Sequence, residues 1–148
     1  MGPANENLHR AAVPLPLRVE FEGGEGMPLR AIVSGEIDYA SSFSMQVRIA
    51  AACRRRRARG LIVDLAGAEF MSSSGLGAIL SLQRERACLQ GGLIISRPSR
   101  EVLDILERTG LDRRLMVVDT VEEAEVLLLY SAAGADVSRH PHRDTSFN

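Results

Sequence analysis

Residues 61–80 read LIVDLAGAEFMSSSGLGAIL. Leu61 to Leu65 is a short apolar run broken only by Asp64, the pattern of a strand covered on both faces within a parallel sheet. From Ser74 the period changes. Leu76, Ile79, Leu80, Gln83 and Ala87 share one helical face, and the spacing predicts a helix from near Ser74 to about Gln90, with Gly91 to end it. Parallel neighbours need a helical crossover between them, so a buried strand running into an amphipathic helix is the repeating unit of an α/β fold.

The same alternation continues downstream. Leu93 to Ile95 is a second buried strand, and a helix after Pro98 turns Val102, Ile105 and Leu106 inward, with Arg108 in its last turn and Gly110 as its stop. Leu115 to Val118 is the last strand. Thr120 and Glu123 match the capping box of a final helix that buries Val121, Ala124, Leu127 and Leu128. Upstream the pattern differs, because Leu17, Val19 and Phe21 alternate with Arg18, Glu20 and Glu22, giving an edge strand with one wet face. Gly23 to Gly26 (GGEG) supply a turn, and Leu29 to Ser34 complete an antiparallel hairpin. Ser41 or Ser42 caps a helix that carries Phe43, Val47 and Ala50 on one stripe. Arg54 to Arg57 at its end suit the helix dipole, and the cluster through Arg59 reads as a solvated helix end rather than an anion or membrane patch. The expected architecture is α/β: a single domain with a mixed β-sheet, an N-terminal antiparallel hairpin and about four helices.

The chain of 148 residues, 45% hydrophobic and 25% charged, fits one core-forming domain. Patterning assigns residues 1–14 and 132–148 to disordered tails and 15–131 to the domain. With 18 basic and 19 acidic residues the net charge is −1, which gives no field to attract nucleic acid or anionic lipid. No apolar stretch approaches a membrane span, and residues 1–16 lack the layout of a signal peptide, so a cytoplasmic protein is expected. Cys53 and Cys88 lack metal-ligand spacing and are expected as reduced thiols in that compartment. His9, His140 and His142 all fall in the tails, which disfavours a histidine-based catalytic or zinc site. Every basic residue is arginine. Without lysine there is no phosphate-binding P-loop, and Gly75-Leu76-Gly77 is too short for a dinucleotide fingerprint. Asp64 has no companion carboxylate at ligand spacing and reads as a structural hydrogen-bonding group.

Chemistry concentrates at Phe70-Met71-Ser72-Ser73-Ser74-Gly75-Leu76-Gly77, between a strand and a helix, where sites commonly lie. One serine can cap the helix and the glycines can serve close packing, but three hydroxyls exceed what one cap needs. Asp38 precedes the first helix and reads equally as a turn or capping residue.

Three segments in order, Gly35-Glu36-Ile37-Asp38, Leu61–Leu65 followed by Phe70–Gly77, and Thr109-Gly110-Leu111-Asp112, make the chain resemble the STAS domains over most of Leu17 to Leu129. It resembles in particular the bacterial anti-sigma-factor antagonists. The resemblance implies that the serine two places before the glycine, Ser73, is phosphorylated by a partner kinase. Ser72 stands where members often have aspartate, and Ser72 and Ser74 remain alternative acceptors. It also implies a partner-binding face made of Asp38, Ser72, Ser73, Ser74, Gly75 and Leu76.

The implied function is a non-enzymatic switch. Unphosphorylated, the chain binds an anti-sigma factor that is itself a serine kinase. Phosphorylated, it is released, and a serine phosphatase restores it. No catalytic residue, metal or cofactor belongs to the chain itself, since ATP and magnesium would be the kinase's. Direct contact with nucleic acid or membrane is not expected, and both monomer and homodimer stay open. Two other readings are a STAS scaffold subunit of a stress-sensing assembly and a nucleotide- or small-molecule-binding STAS module.

Overall fold

A computed structural model describes residues 15–85 and 92–132. The expected tails, apart from residue 132, lie outside these residues, as do Cys88, the three histidines, and Gln90 with Gly91. Strands β1 (Arg18–Gly23) and β2 (Leu29–Ile37) form the antiparallel hairpin. They are followed by α1 (Tyr39–Arg55), β3 (Leu61–Met71), α2 (Ser73–Arg84), β4 (Leu93–Ser96), α3 (Arg100–Thr109), a 3-10 turn (Leu111–Arg113), β5 (Met116–Val118) and α4 (Val121–Ala132). The five strands form one sheet in the order β1-β2-β3-β4-β5, with every pair after the hairpin parallel. The expected mixed sheet and four helices are therefore present.

The two sheet faces are unequal. Leu61, Val63 and Leu65 join Leu29, Ala31, Val33, Met45, Ile49, Ile79, Leu82, Val102 and Leu106 in one large core, so α1, α2 and α3 cover the same face. Ile62, Ile94 and Val118 meet Val121, Ala124 and Leu128 of α4 in a smaller core on the other. Beyond the reach of α4, that second face carries charge. Asp64, fully buried, accepts from Arg30 at 2.7 and 3.2 Å and from Arg97 at 2.9 and 3.3 Å. It also accepts from the Ala66 N–H at 3.1 Å. Asp64 thus plays the structural part that the sequence suggests.

Several local expectations need correction. Both strands are longer than their apolar runs: β2 continues past Ser34 through Gly35 to Ile37, and β3 past Leu65 through Ala66 to Met71. The added residues pair across register shifts that keep Ala68 and Met71 facing the core. At Gly35 φ is 88° and a side chain would collide with the Pro16 carbonyl, which is why the strand bends where glycine stands. The first helix is capped by Asp38, not by Ser41 or Ser42. Phe43, Val47 and Ala50 do share a line, but only Ala50 is buried; the inner face is Ser42, Met45, Ile49, Ala52 and Cys53. Helix α2 ends at Arg84, short of Gln90, because Leu82 is its last buried residue and Glu85 already turns out of helical geometry.

Candidate functional site

Parallel topology brings the N-termini of α1 and α2 to one edge of the sheet, beside each other, at the ends of β2 and β3. The Ser72 N–H donates to the Ile37 carbonyl at 2.8 Å, tying the two junctions together. Asp38 and Ser72, distant in sequence, thereby become neighbours. The structure brings together every residue expected for the partner face: Asp38 caps α1, Ser72 caps α2, and Ser73, Ser74, Gly75 and Leu76 form the first turn of α2.

Asp38 accepts from the Ser41 N–H at 2.9 Å and from the Ser41 hydroxyl at 2.9 Å, while the Asp38 N–H donates back to the Ser41 oxygen at 3.0 Å. This is a reciprocal capping box with serine in the place usually taken by glutamate. The bonds from Ser41 hold the Asp38 carboxyl below the usual carboxylate range. Ser41 was the residue misread as a cap; it sits one turn inside as the other half of the device.

The three serines divide their work. Ser72 Oγ accepts from the Gly75 N–H at 3.2 Å, and its carbonyl accepts from the Leu76 N–H at 3.1 Å. Aspartate is an equally good cap, so serine where the resemblance leads one to expect aspartate fills that role without the charge. Ser74 is half-buried, and Ser73, the first residue of α2, is exposed. Its hydroxyl bonds to no other described residue.

Gly75 explains why the loop is so close to the sheet. A Cβ there would come within 2.8 Å of both Ile37 Cγ2 and Met71 Cγ, so α2 seats on the strand ends only because the side chain is absent. Gly77, two residues further on and turned toward the outer side of the helix, has nothing within 4 Å of the same hypothetical atom. Leu76 points its bulk into the core at 5% exposure. Among the described residues no group of histidine, cysteine, aspartate and glutamate could hold a metal ion. The site is made of hydroxyls and backbone N–H groups at a helix start, an environment that tolerates an anionic group.

Sequence reasoning missed two features here. The stripe of Phe43, Val47 and Ala50 was legible, but not that Phe43 and Val47 face outward, in line with the exposed Tyr39. The second partner of Asp64, Arg97, carried no signal in local pattern, because only the sheet brings it near.

Comparison with known proteins agrees with the fold. The STAS domain family profile matches residues 29–124. An anti-sigma F factor antagonist of Lysinibacillus sphaericus is 30% identical over 92 residues, which is 62% of this chain and 77% of the relative. The corresponding antagonist of Paenibacillus polymyxa is 28% identical over 103 residues, 70% of this chain and 87% of the relative. Among solved structures, the Bacillus cell fate determinant SpoIIAA in its phosphorylated form is 25% identical with a TM-score of 0.55, covering 72% of this chain and 96% of that one. With the hairpin-led mixed sheet and the capped serine loop at its edge, these matches establish that the chain belongs to the STAS domain family, among its anti-sigma-factor antagonists.

Proposed function

We propose that the unmodified chain binds an anti-sigma factor through the edge formed by Asp38 and Ser72–Leu76, and that phosphorylation of Ser73 breaks the complex. The observation that carries this reading is the division of labour among the serines: Ser72 is committed to the cap, Ser74 is half-buried, and Ser73 is exposed at the first position of α2. The relatives' names and the existence of a phosphorylated form of SpoIIAA support it.

The chemistry follows from position. A kinase transfers the γ-phosphoryl of ATP to Ser73 Oγ, the hydroxyl proton leaves, and ADP departs. A serine phosphatase reverses the state with water. The new group brings about −1.5 to −2 charges to a helix N-terminus, where unpaired first-turn N–H groups and the dipole tolerate it. The fold therefore survives, while a partner packed over the serine must desolvate the anion, and each 1.4 kcal/mol of that penalty weakens binding about tenfold. In this reading the kinase is the anti-sigma factor itself, the chain catalyses nothing, and the complex forms in the cytoplasm.

The test titrates the purified chain against each purified histidine-kinase-like anti-sigma factor of its own genome, with and without ATP. One of them should bind and add a single phosphoryl group. Ser73→Ala should bind and refuse the phosphate; Ser73→Asp should fold and bind more weakly, with roughly half a phosphate's charge. Equal affinity of phosphorylated and unmodified protein overturns the switch. Phosphate on Ser72 or Ser74 in the Ser73→Ala protein overturns the residue assignment.

A further inference from the structure

In a chain with 25% charged residues, none is charged from Tyr39 to Val47 or from Phe70 to Gln83. These segments are the first turns of α1 and nearly all of α2, two helices that start at the same edge and pack against each other. The outward surface they share is therefore uncharged over several turns.

That surface is also apolar where the fold does not need it to be. Tyr39, Phe43 and Val47 are 84%, 71% and 47% exposed, and a spacing of four puts them on one line. The opposite face of α1 is filled by Met45, Ile49, Ala52 and Cys53, so the helix has two apolar faces and the core uses one. The second has a definite direction. Arg48 Nη2 donates to the Val19 carbonyl at 3.2 Å, which fixes the flank of α1 that faces β1. At 100° per residue, Phe43 and Ala50 then lie on the opposite flank, bordering α2.

On α2 the matching outer line is Ser73, Gly77 and Ser81. Glycine weakens a helix, yet at Gly77 φ is not positive and an added Cβ would touch nothing within 4 Å. Nothing inside the molecule asks for glycine there. A smooth shelf on α2 thus lies beside an aromatic and aliphatic ridge on α1, and Ser73 stands at the head of the shelf.

We infer that the N-terminal parts of α1 and α2 form one uncharged docking platform for the anti-sigma factor, reaching well beyond the serine loop. Phe43 and Val47 anchor an apolar face of the partner, and Gly77 gives its backbone room to approach. This rests on the antagonist reading above and specifies its interface. It also explains why one phosphate suffices: on Ser73 it sets a strong new charge at the head of two segments, Tyr39–Val47 and Phe70–Gln83, that carry none.

The experiment uses the full chain and the anti-sigma factor that binds it in the titration above. Binding calorimetry compares wild type with Phe43→Gln/Val47→Gln, with Gly77→Leu, and with Val126→Gln/Leu129→Gln, whose exposed apolar residues lie on α4 across the sheet. The first two variants should bind roughly tenfold more weakly or worse, and the α4 variant should stay within about twofold. Glutamine is a better helix former than the residues it replaces, so thermal unfolding should show the Phe43→Gln/Val47→Gln protein as stable as wild type. If wild type binds and that variant binds equally well, the platform is wrong while the antagonist reading stands. If wild type binds none of the anti-sigma factors, both fall. If sedimentation instead shows that wild type self-associates and that Phe43→Gln/Val47→Gln is monomeric, the surface belongs to a second copy of the chain and the inference is overturned.

Discussion

Gly75 and Ile37 stand so close that a single methyl group does not fit between them: a Cβ on Gly75 would lie 2.8 Å from Ile37 Cγ2 and 3.3 Å from the Ile37 carbonyl oxygen. The same carbonyl accepts the Ser72 N–H at 2.8 Å. The end of β2 is therefore the floor on which the serine loop rests, and the loop's height above the sheet is set by backbone contacts.

Gly75→Ala should accordingly destabilise the fold by roughly 1–3 kcal/mol, the ordinary cost of overpacking, as the Ile37 and Met71 side chains shift. Gly77→Ala should do the reverse and stabilise by up to about 1 kcal/mol, because the helix gains propensity at an open position. Urea unfolding of the two variants measures both; like effects from the two glycines would contradict the packing described.

Ser72→Ala should cost about 1 kcal/mol by removing the α2 cap, and Ser72→Asp should recover it. Mass spectrometry after kinase treatment should find both variants still modified once, at Ser73. A Ser72→Ala protein as stable as wild type would show that the cap contributes nothing.

Asp38→Asn should retain the α1 cap, since asparagine serves as well as aspartate, whereas Asp38→Ala should fray the first turn. If Asp38 acts in the interface by holding that turn, anti-sigma binding follows the same division. Binding lost in both variants would assign the carboxylate a direct contact with the partner.

The Asp64 cluster predicts acid sensitivity. Burial alone would push the Asp64 carboxyl up, but the hydrogen bonds from Arg97, Arg30 and the Ala66 N–H outweigh it and hold the group below its ordinary value. A carboxylate whose folded value is depressed binds its proton more readily in the unfolded chain. Its stabilisation is thus present above about pH 4 and drains away as pH falls through the lower folded value. Asp64→Asn should lose about 2 kcal/mol at neutral pH, and its deficit against wild type should shrink at lower pH. A deficit that does not change with pH would show that the charge is unimportant.

Much of the architecture was legible because period and burial agree. The alternation in Leu17–Glu22 marks a strand wet on one side, and the run at Leu61–Leu65 marks one covered on both; β1 and β3 are so placed. The helix stop at Gly110 and the cap at Thr120 were readable because their chemistry is local. Reading failed where tertiary contact decides. Strand extension through Gly35–Ile37 and Ala66–Met71 depends on pairing between two polar-looking segments, which no single segment reveals. The orientation of α1 was ambiguous because two apolar stripes run along it, and only the sheet selects Met45 and Ile49 over Phe43 and Val47. At the serine loop, family pattern singled out Ser73; the separate task of Ser72 emerged only from its bond to Gly75.

The spatial order of the five strands is the order of their synthesis. As the ribosome releases the chain, each parallel strand finds its neighbour already laid down, with the bridging helix made in between, and no strand must insert between two others. The growing edge moves steadily from the hairpin outward. A nascent chain that has just completed α2 already owns both capped junctions and Ser73, yet its outermost strand is the apolar Leu61–Leu65, paired with β2 on one side and open on the other until Leu93–Ser96 arrives. That interval is when the protein is most open to edge-to-edge association with another chain, and it closes with four residues of β4.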